Sequence, residues 1–176
     1  MNSKPMTIND YLNSVDKYEK EASIRDFNVR PLTRSNWEEA VKITLEDQQR
    51  QFVPSVMEGI AYAYLKPWDE ALDPYVLELE GEIIGFFYLS YTPDSTDNYW
   101  IGGFQIDKFY QGRGYGKQAV GAMIDFIIER HPKCEVISLT VEPENIKAQN
   151  LYRSMLFTSE NETNQNNEII YRLQVK

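Results

Sequence analysis

The stretch that most constrains this chain is FQIDKFYQGRGYGKQAV, residues 104–120. An apolar run leads into three alternating glycines, Gly112, Gly114 and Gly116, and an amphipathic run leads out. After the glycines, Val120, Met123, Ile124, Ile127 and Ile128 recur at helical spacing, while Lys117, Gln118, Asp125 and Glu129 fall on the other side. Pro132 follows the end of that helix, and EVISLTV (135–141) reads as a buried strand. A strand–loop–helix–strand crossover favours parallel neighbours with the helix covering the sheet.

The flanking segments fit around this unit. FNVRPL (27–32) reads as a first strand. Ser35 or Asn36 is positioned to cap a helix reaching about Gln49, with Trp37, Ala40, Val41 and Thr44 on one face. A second helix covers Ser55–Leu65. YVLELEGEIIGFFYLSYT (75–92) reads as a hairpin turning at Glu80-Gly81. NYWIGGFQI (98–106) is a strand whose Gly102-Gly103 pair predicts a bulge or a close backbone approach. NIKAQNLYRSM (145–155) is a short helix, and LFTSE and EIIYRLQV close the chain as an antiparallel pair. The expected order is β-α-α-β-β-β-α-β-α-β-β, a mixed α/β (α+β) sheet. Residues 1–26 read as a polar N-terminal extension and 27–176 as one domain.

A helix start preceded by glycines presents unpaired N–H groups to an anion, and phosphate or pyrophosphate is the natural ligand. A Walker loop needs G-x-x-x-x-G-K-[ST]; here the span from Gly112 to Gly116 is one residue short and Gln118 replaces the hydroxyl. A Rossmann loop needs G-x-G-x-x-G, and the third glycine comes one residue early. Both spacings fail.

The spacing that fits is Gln-x-x-Gly-x-Gly at Gln111, Gly114 and Gly116, between a strand and a helix. It resembles the acetyl-CoA loop of the GNAT superfamily of N-acetyltransferases, and the resemblance covers roughly residues 27–173. A second segment, NIKAQNLYRSMLF, is similar to the family's N-x-x-A-x-x-L-Y-x-x-x-G-F, with Asn145, Ala148, Leu151, Tyr152 and Phe157 in register. Within the superfamily, WIGGFQIDKFYQGRGYGK and LEDQQRQFV look most like bacterial spermine/spermidine (diamine) acetyltransferases. One position departs: Leu156 stands where the family has glycine, so a slightly different turn is expected after Tyr152.

The resemblance implies acetyl transfer from acetyl-CoA, as cosubstrate, to a primary amine by direct attack on the thioester, with no metal. It implies that the backbone of Gly112, Arg113, Gly114, Tyr115, Gly116 and Lys117 takes the pyrophosphate, with Gln111 bracing the loop or touching a phosphate. It implies that the strands 98–106 and 135–141 splay, and that the pantetheine arm bonds to backbone at Phe104, Gln105 and Ile106. The Ile106 amide becomes the oxyanion donor, a contribution of ~3–4 kcal/mol when fully formed. Tyr152 protonates the leaving thiolate, and Asn145 contacts CoA or caps its helix. Polyamine acetyltransferases often carry a carboxylate just before the acetyl-binding segment, and here Gly102-Gly103 takes that place. The base is left open among Asp47, Glu58 or a tyrosine, reached through water.

For the acceptor, the resemblance points to a wall containing Glu46, Asp47 and Glu58. Tyr62, Tyr64, Trp68, Tyr91, Tyr99 and Trp100 are abundant nearby. Carboxylates and ring faces suit an alkylammonium chain. The alternatives are an antibiotic or peptide amine as acceptor, or a CoA-binding protein of this fold without transfer.

Composition narrows the remaining classes. The net charge of −9 opposes general nucleic-acid binding and suits a cationic small-molecule partner. No apolar run approaches the ~18 residues of a membrane span, and no signal-peptide core is visible at the start, so a cytoplasmic protein is expected. Cys134 is the only cysteine and His131 the only histidine, which disfavours disulfides, zinc and a His-based triad. A monomer and a homodimer are both left open.

Overall fold

A two-residue turn sets the register of the sheet. In the computed structural model, which describes residues 27–159 and 161–176, Glu80 (φ 50°) and Gly81 (φ 87°) both take left-handed backbone. That geometry matches the twist of the strands it joins. It connects β2 (Ala71–Leu79) to β3 (Glu82–Tyr91) as the sequence predicts. The other strands are β1 (Phe27–Pro31), β4 (Tyr99–Ile106), β5 (Val136–Val141) and β6 (Ile169–Gln174). They form a six-stranded sheet in the order β1-β2-β3-β4-β5-β6, antiparallel except for the parallel pair β4/β5. The expected extension, residues 1–26, lies outside the described residues.

Among the described residues four helices flank the sheet: α1 (Trp37–Ala40), α2 (Val56–Leu65), α3 (Tyr115–Arg130) and α4 (Ile146–Ser154). The apolar stripe of α3, Val120, Met123, Ile124 and Ile127, is fully buried with Ile101, Ile106, Leu139 and Tyr152 in the larger core. A second core on the opposite face joins Ala40 and Val56 to Val76, Phe86 and Tyr88. Ser55 caps α2: its hydroxyl accepts from Glu58 N–H and the Glu58 carboxylate accepts from Ser55 N–H, a reciprocal capping box.

Three expectations change. The first helix ends at Ala40 instead of reaching Gln49, because the β-branched Val41, Ile43 and Thr44 follow and Asp107 takes the Thr44 N–H at 2.8 Å. Only a single 3₁₀ turn, Asp47–Gln49, forms beyond it. Within the expected strand LFTSE, the described residues 156–159 form no full strand: Thr158 makes an isolated bridge to Arg172, whose strand pairs mainly with β5. Leu156 makes the left-handed turn itself, at φ 67°. Phe157 N–H bonds Tyr152 O and Leu156 N–H bonds Arg153 O, closing α4 in a Schellman motif. A leucine there carries roughly 1–2 kcal/mol of backbone strain. Leu156→Val, β-branched and worse suited to that region, is expected to lower unfolding stability by about 1 kcal/mol or more. A urea midpoint unchanged from wild type would refute that strain.

Candidate active site

The parallel pair that carries the glycine loop is barely a pair. β4 and β5 are in register only at Trp100↔Ser138 and Ile101↔Leu139. Beyond Ile101 the two strands part, and the rest of β4 faces a gap. The bulge expected at Gly102-Gly103 is present: the β3/β4 register slips between Phe86 and Tyr88, and Gly103 takes φ 61°. The extra residue resets side-chain alternation. Tyr99 and Ile101 before the bulge, and Phe104 and Ile106 after it, therefore face one core.

The bulge also orients backbone. Asp107 N–H donates to Ile84 O, so Gly85 and Ile106 form a non-hydrogen-bonded pair. The N–H and C=O of Ile106 consequently turn away from β3, toward the gap. Gln111 Nε2 donates to that carbonyl at 2.8 Å, leaving the Ile106 N–H as a donor aimed into the opening. Gln105 does something else with its side chain. It is buried, and its Nε2 donates to Pro54 O (3.0 Å) and Gly103 O (3.2 Å), pinning the bulge to the loop before α2.

The start of α3 lies at the end of this gap. Gly114, at φ 81°, is the N-cap residue, and no side chain caps the helix. The N–H groups of Tyr115 and Gly116, in the first turn, therefore have no intrahelical acceptor. Gly112 is also left-handed, at φ 76°. A Cβ at either glycine would meet no atom of the described residues within 4 Å. The space beside this backbone is open on the side from which an anion would approach. Gln111 braces the loop: it exchanges amide hydrogen bonds with Gln49 (2.9 and 3.0 Å) and accepts from Lys147 Nζ at 3.4 Å. Arg113 and Lys117 are exposed at the loop. The Tyr115 ring packs edge-on against Phe27, with centroids 5.9 Å apart.

Tyr152 comes from α4 and is 7% exposed. Burial pushes its phenol well above the ordinary tyrosine range, so it holds its proton at neutral pH. Its ring packs edge-on against Phe157 at 5.6 Å, and its hydroxyl has no hydrogen-bond partner among the described residues. Asn145 caps α4, its Oδ1 accepting from Ala148 N–H at 3.2 Å.

The three acceptor carboxylates do not converge. Glu46 caps the 3₁₀ turn in a box with Gln49. The exposed Asp47 faces Arg50 at 3.5 Å. Glu58 lines a cleft of about 350 Å³ between the 41–45 loop, the 53–58 segment and Gln105. Hydrogen bonds from Ser55 N–H and hydroxyl hold the Glu58 carboxyl below its usual range, which makes it a weak base. Of the aromatics, Tyr62 and Trp68 meet each other and Tyr88. Tyr64 is exposed, Tyr91 stacks on Tyr99 beside His131, and Trp100 donates to Asn98.

Sequence reasoning misses Asp107 and Gln49, which tie the 44–49 segment to the end of β4. Asp107 accepts from Thr44 N–H and from Phe109 N–H. The one signal available was a carboxylate directly before a short turn, a capping position. It also misses Tyr88, whose ring occupies the space that glycine leaves at positions 102 and 103.

Known proteins share this fold. The sequence profile of the acetyltransferase (GNAT) family matches residues 37–157. Over 100 residues the chain is 36% identical to the probable spermine N(1)-acetyltransferase of Bacillus subtilis subsp. natto (strain BEST195). That match spans 54% of this chain and 65% of the relative, just under two thirds of its length. The spermidine N-acetyltransferase of Vibrio cholerae, solved with CoA and spermine, superposes with a TM-score of 0.63 at 18% identity, over 84% of this chain and 93% of that one. Aminoglycoside acetyltransferase AAC(6')-Ib in complex with coenzyme A gives a TM-score of 0.69 at 18% identity, over 84% and 94%. At such identities the two structures show a common fold.

Proposed function

The chain belongs to the acetyltransferase (GNAT) family, and on that premise we propose that it transfers acetyl from acetyl-CoA to a primary amine of a small polyamine or diamine. The observation that carries the reading is the opening between β4 and β5, with the uncapped, glycine-led start of α3 at its end. The 36% identity to a probable spermine acetyltransferase supports the acceptor class.

Bound acetyl-CoA would supply an activated acyl thioester. The backbone of 112–117 would hold its pyrophosphate through N–H groups and the positive end of the α3 dipole. The unpaired edge of β4 would hold the extended arm. The Ile106 N–H would donate to the acyl oxygen as negative charge develops there. Tyr152 would keep a proton ready for the departing sulfur. An acceptor amine, ordinarily cationic with a pKa near ~10, must shed a proton before it attacks. None of Glu46, Asp47 and Glu58 is arranged as an evident base for that step.

A polyamine offers one amine to react and a second ammonium to anchor. With free thiol as the readout, kcat/KM for spermidine is expected to exceed that for an alkyl monoamine of matched length by about 10-fold or more, the scale of one charged hydrogen bond. Raising salt should lift KM for spermidine more than for acetyl-CoA. Equal rates for the monoamine would remove the anchor. Preference for an aminoglycoside would move the acceptor to antibiotic amines. Turnover of none of the three would leave a CoA-binding protein without transfer.

A further inference from the structure

Gly102 lies one residue beyond the last β4–β5 pair, at the mouth of the gap, and it carries no side chain. The structure fills that place from elsewhere. A Cβ at Gly102 would fall 2.2 to 2.7 Å from Tyr88 Cε2, Cζ and Oη, so the phenol end of Tyr88 lies directly over this glycine. Tyr88 is 8% exposed, yet its hydroxyl makes no hydrogen bond among the described residues. Its ring meets Tyr62 and Trp68, with centroids at 6.0 and 6.2 Å, and Trp68 is 58% exposed.

Glu168, the residue before β6, lies close enough for its charge to act on the Tyr88 phenol. Its carboxylate accepts from Thr140 Oγ1 at 3.2 Å and from Asn164 Nδ2, and its N–H donates to Asn164 Oδ1 at 3.0 Å. The half-buried carboxylate is therefore fixed in place. No basic side chain among the described residues pairs with it. Its charge reaches both neighbours. Burial, then Tyr62 and Glu168, push the Tyr88 phenol up to about 12. Burial, then Glu168 and Glu144, raise the Glu142 carboxyl. Half-buried carboxylates without a cation, beside an unpartnered phenol and open ring faces, form a site for a desolvated cation.

We propose that Glu168, the Tyr88 hydroxyl and the ring faces of Tyr62 and Trp68 bind an alkylammonium group of the acceptor, so that the turn leading into β6 supplies the carboxylate that Gly102 cannot. The inference rests on the acetyltransferase reading and names the acceptor-binding residues within it. Glu168 accepts from the ammonium. Tyr88 offers a lone pair, and the rings cover the adjoining methylenes. This carboxylate stands outside the 46–58 wall, and its position depends on the β5–β6 pairing.

The test uses the full chain with acetyl-CoA and spermidine, following free thiol. Binding of spermidine is measured separately by calorimetry with CoA present. Glu168→Gln keeps the shape and the Asn164 contacts while removing the charge. It is expected to raise KM and Kd for spermidine about 10-fold or more, with KM for acetyl-CoA within about 2-fold. Trp68→Leu, at a position 58% exposed, should raise the same two constants about 3-fold or more, with thermal melting checking that the fold persists. Unchanged spermidine constants in either variant, or no spermidine binding by wild type, overturn the site. Wild-type turnover with unchanged constants in Glu168→Gln leaves the transferase reading standing and the site refuted. Glu168-dependent binding without turnover does the reverse.

Discussion

Tyr152→Phe is expected to lower kcat about 100-fold or more, the usual scale for losing a general acid, with CoA affinity within a few-fold of wild type. The phenol is buried, and burial alone raises its pKa above the ordinary tyrosine value. The proton is therefore present throughout the neutral range, and loss of that proton should not limit kcat below about pH 10, where an unperturbed tyrosine ionises. The substitution is structurally mild. The ring keeps its contact with Phe157, and no partner of the hydroxyl among the described residues is orphaned. Steady-state rates by thiol release and CoA titration by calorimetry separate the two effects. An unchanged kcat would make Tyr152 a packing residue and assign the proton to another group or to water.

Gly114→Val is expected to weaken CoA binding on the order of 100-fold, equivalent to losing one or two charged hydrogen bonds. Valine also suffers at φ 81°, so loss of binding alone would be ambiguous. Gly114→Asn removes the ambiguity, because asparagine tolerates left-handed backbone. Its Cβ would enter space with no atom of the described residues within 4 Å, so the fold should persist while the approach of a phosphate is obstructed. Thermal melting monitors the fold and calorimetry the affinity. A folded Asn variant that binds CoA like wild type would show that the pyrophosphate does not lie on this loop.

Raising the pH through the ordinary carboxylate range probes a different group. The Glu142 carboxyl is raised by burial and by its acidic neighbours. Its folded pKa exceeds its unfolded one, so it contributes stability below the unfolded value and loses it as pH rises through the folded value. Bound polyamine, by adding a cation beside Glu168, should lessen that loss. Melting temperatures across this range, with and without spermidine, would register the difference. A ligand-independent profile would speak against a cation near Glu142 and Glu168.

The sequence by itself determined what depends on local spacing. The two-residue turn at Glu80-Gly81 needs left-handed backbone, and a glycine two residues past a strand announces it. The apolar stripe of α3 follows from helical periodicity, and the glycine-led helix start from the order of residues 111–116. The bulge at Gly102-Gly103 was legible for the same reason. Tertiary structure alone decided what depends on residues distant in sequence. Helix formation stopped at Ala40 because Asp107, far along the chain, captured the Thr44 N–H. The acidic segment around Glu46 and Asp47 looked like an acceptor wall, but a capping contact and an exposed pair with Arg50 engage those side chains. Tyr88 and Glu168 carry no local signal. One sits in an apolar strand and the other in a polar turn. They become neighbours because β3 pairs with β4 and β5 pairs with β6, while β4 and β5 part between them. Hydrogen-bond ladders fix which strands lie side by side, and no spacing within a single segment encodes which carboxylate that juxtaposition brings to an aromatic face.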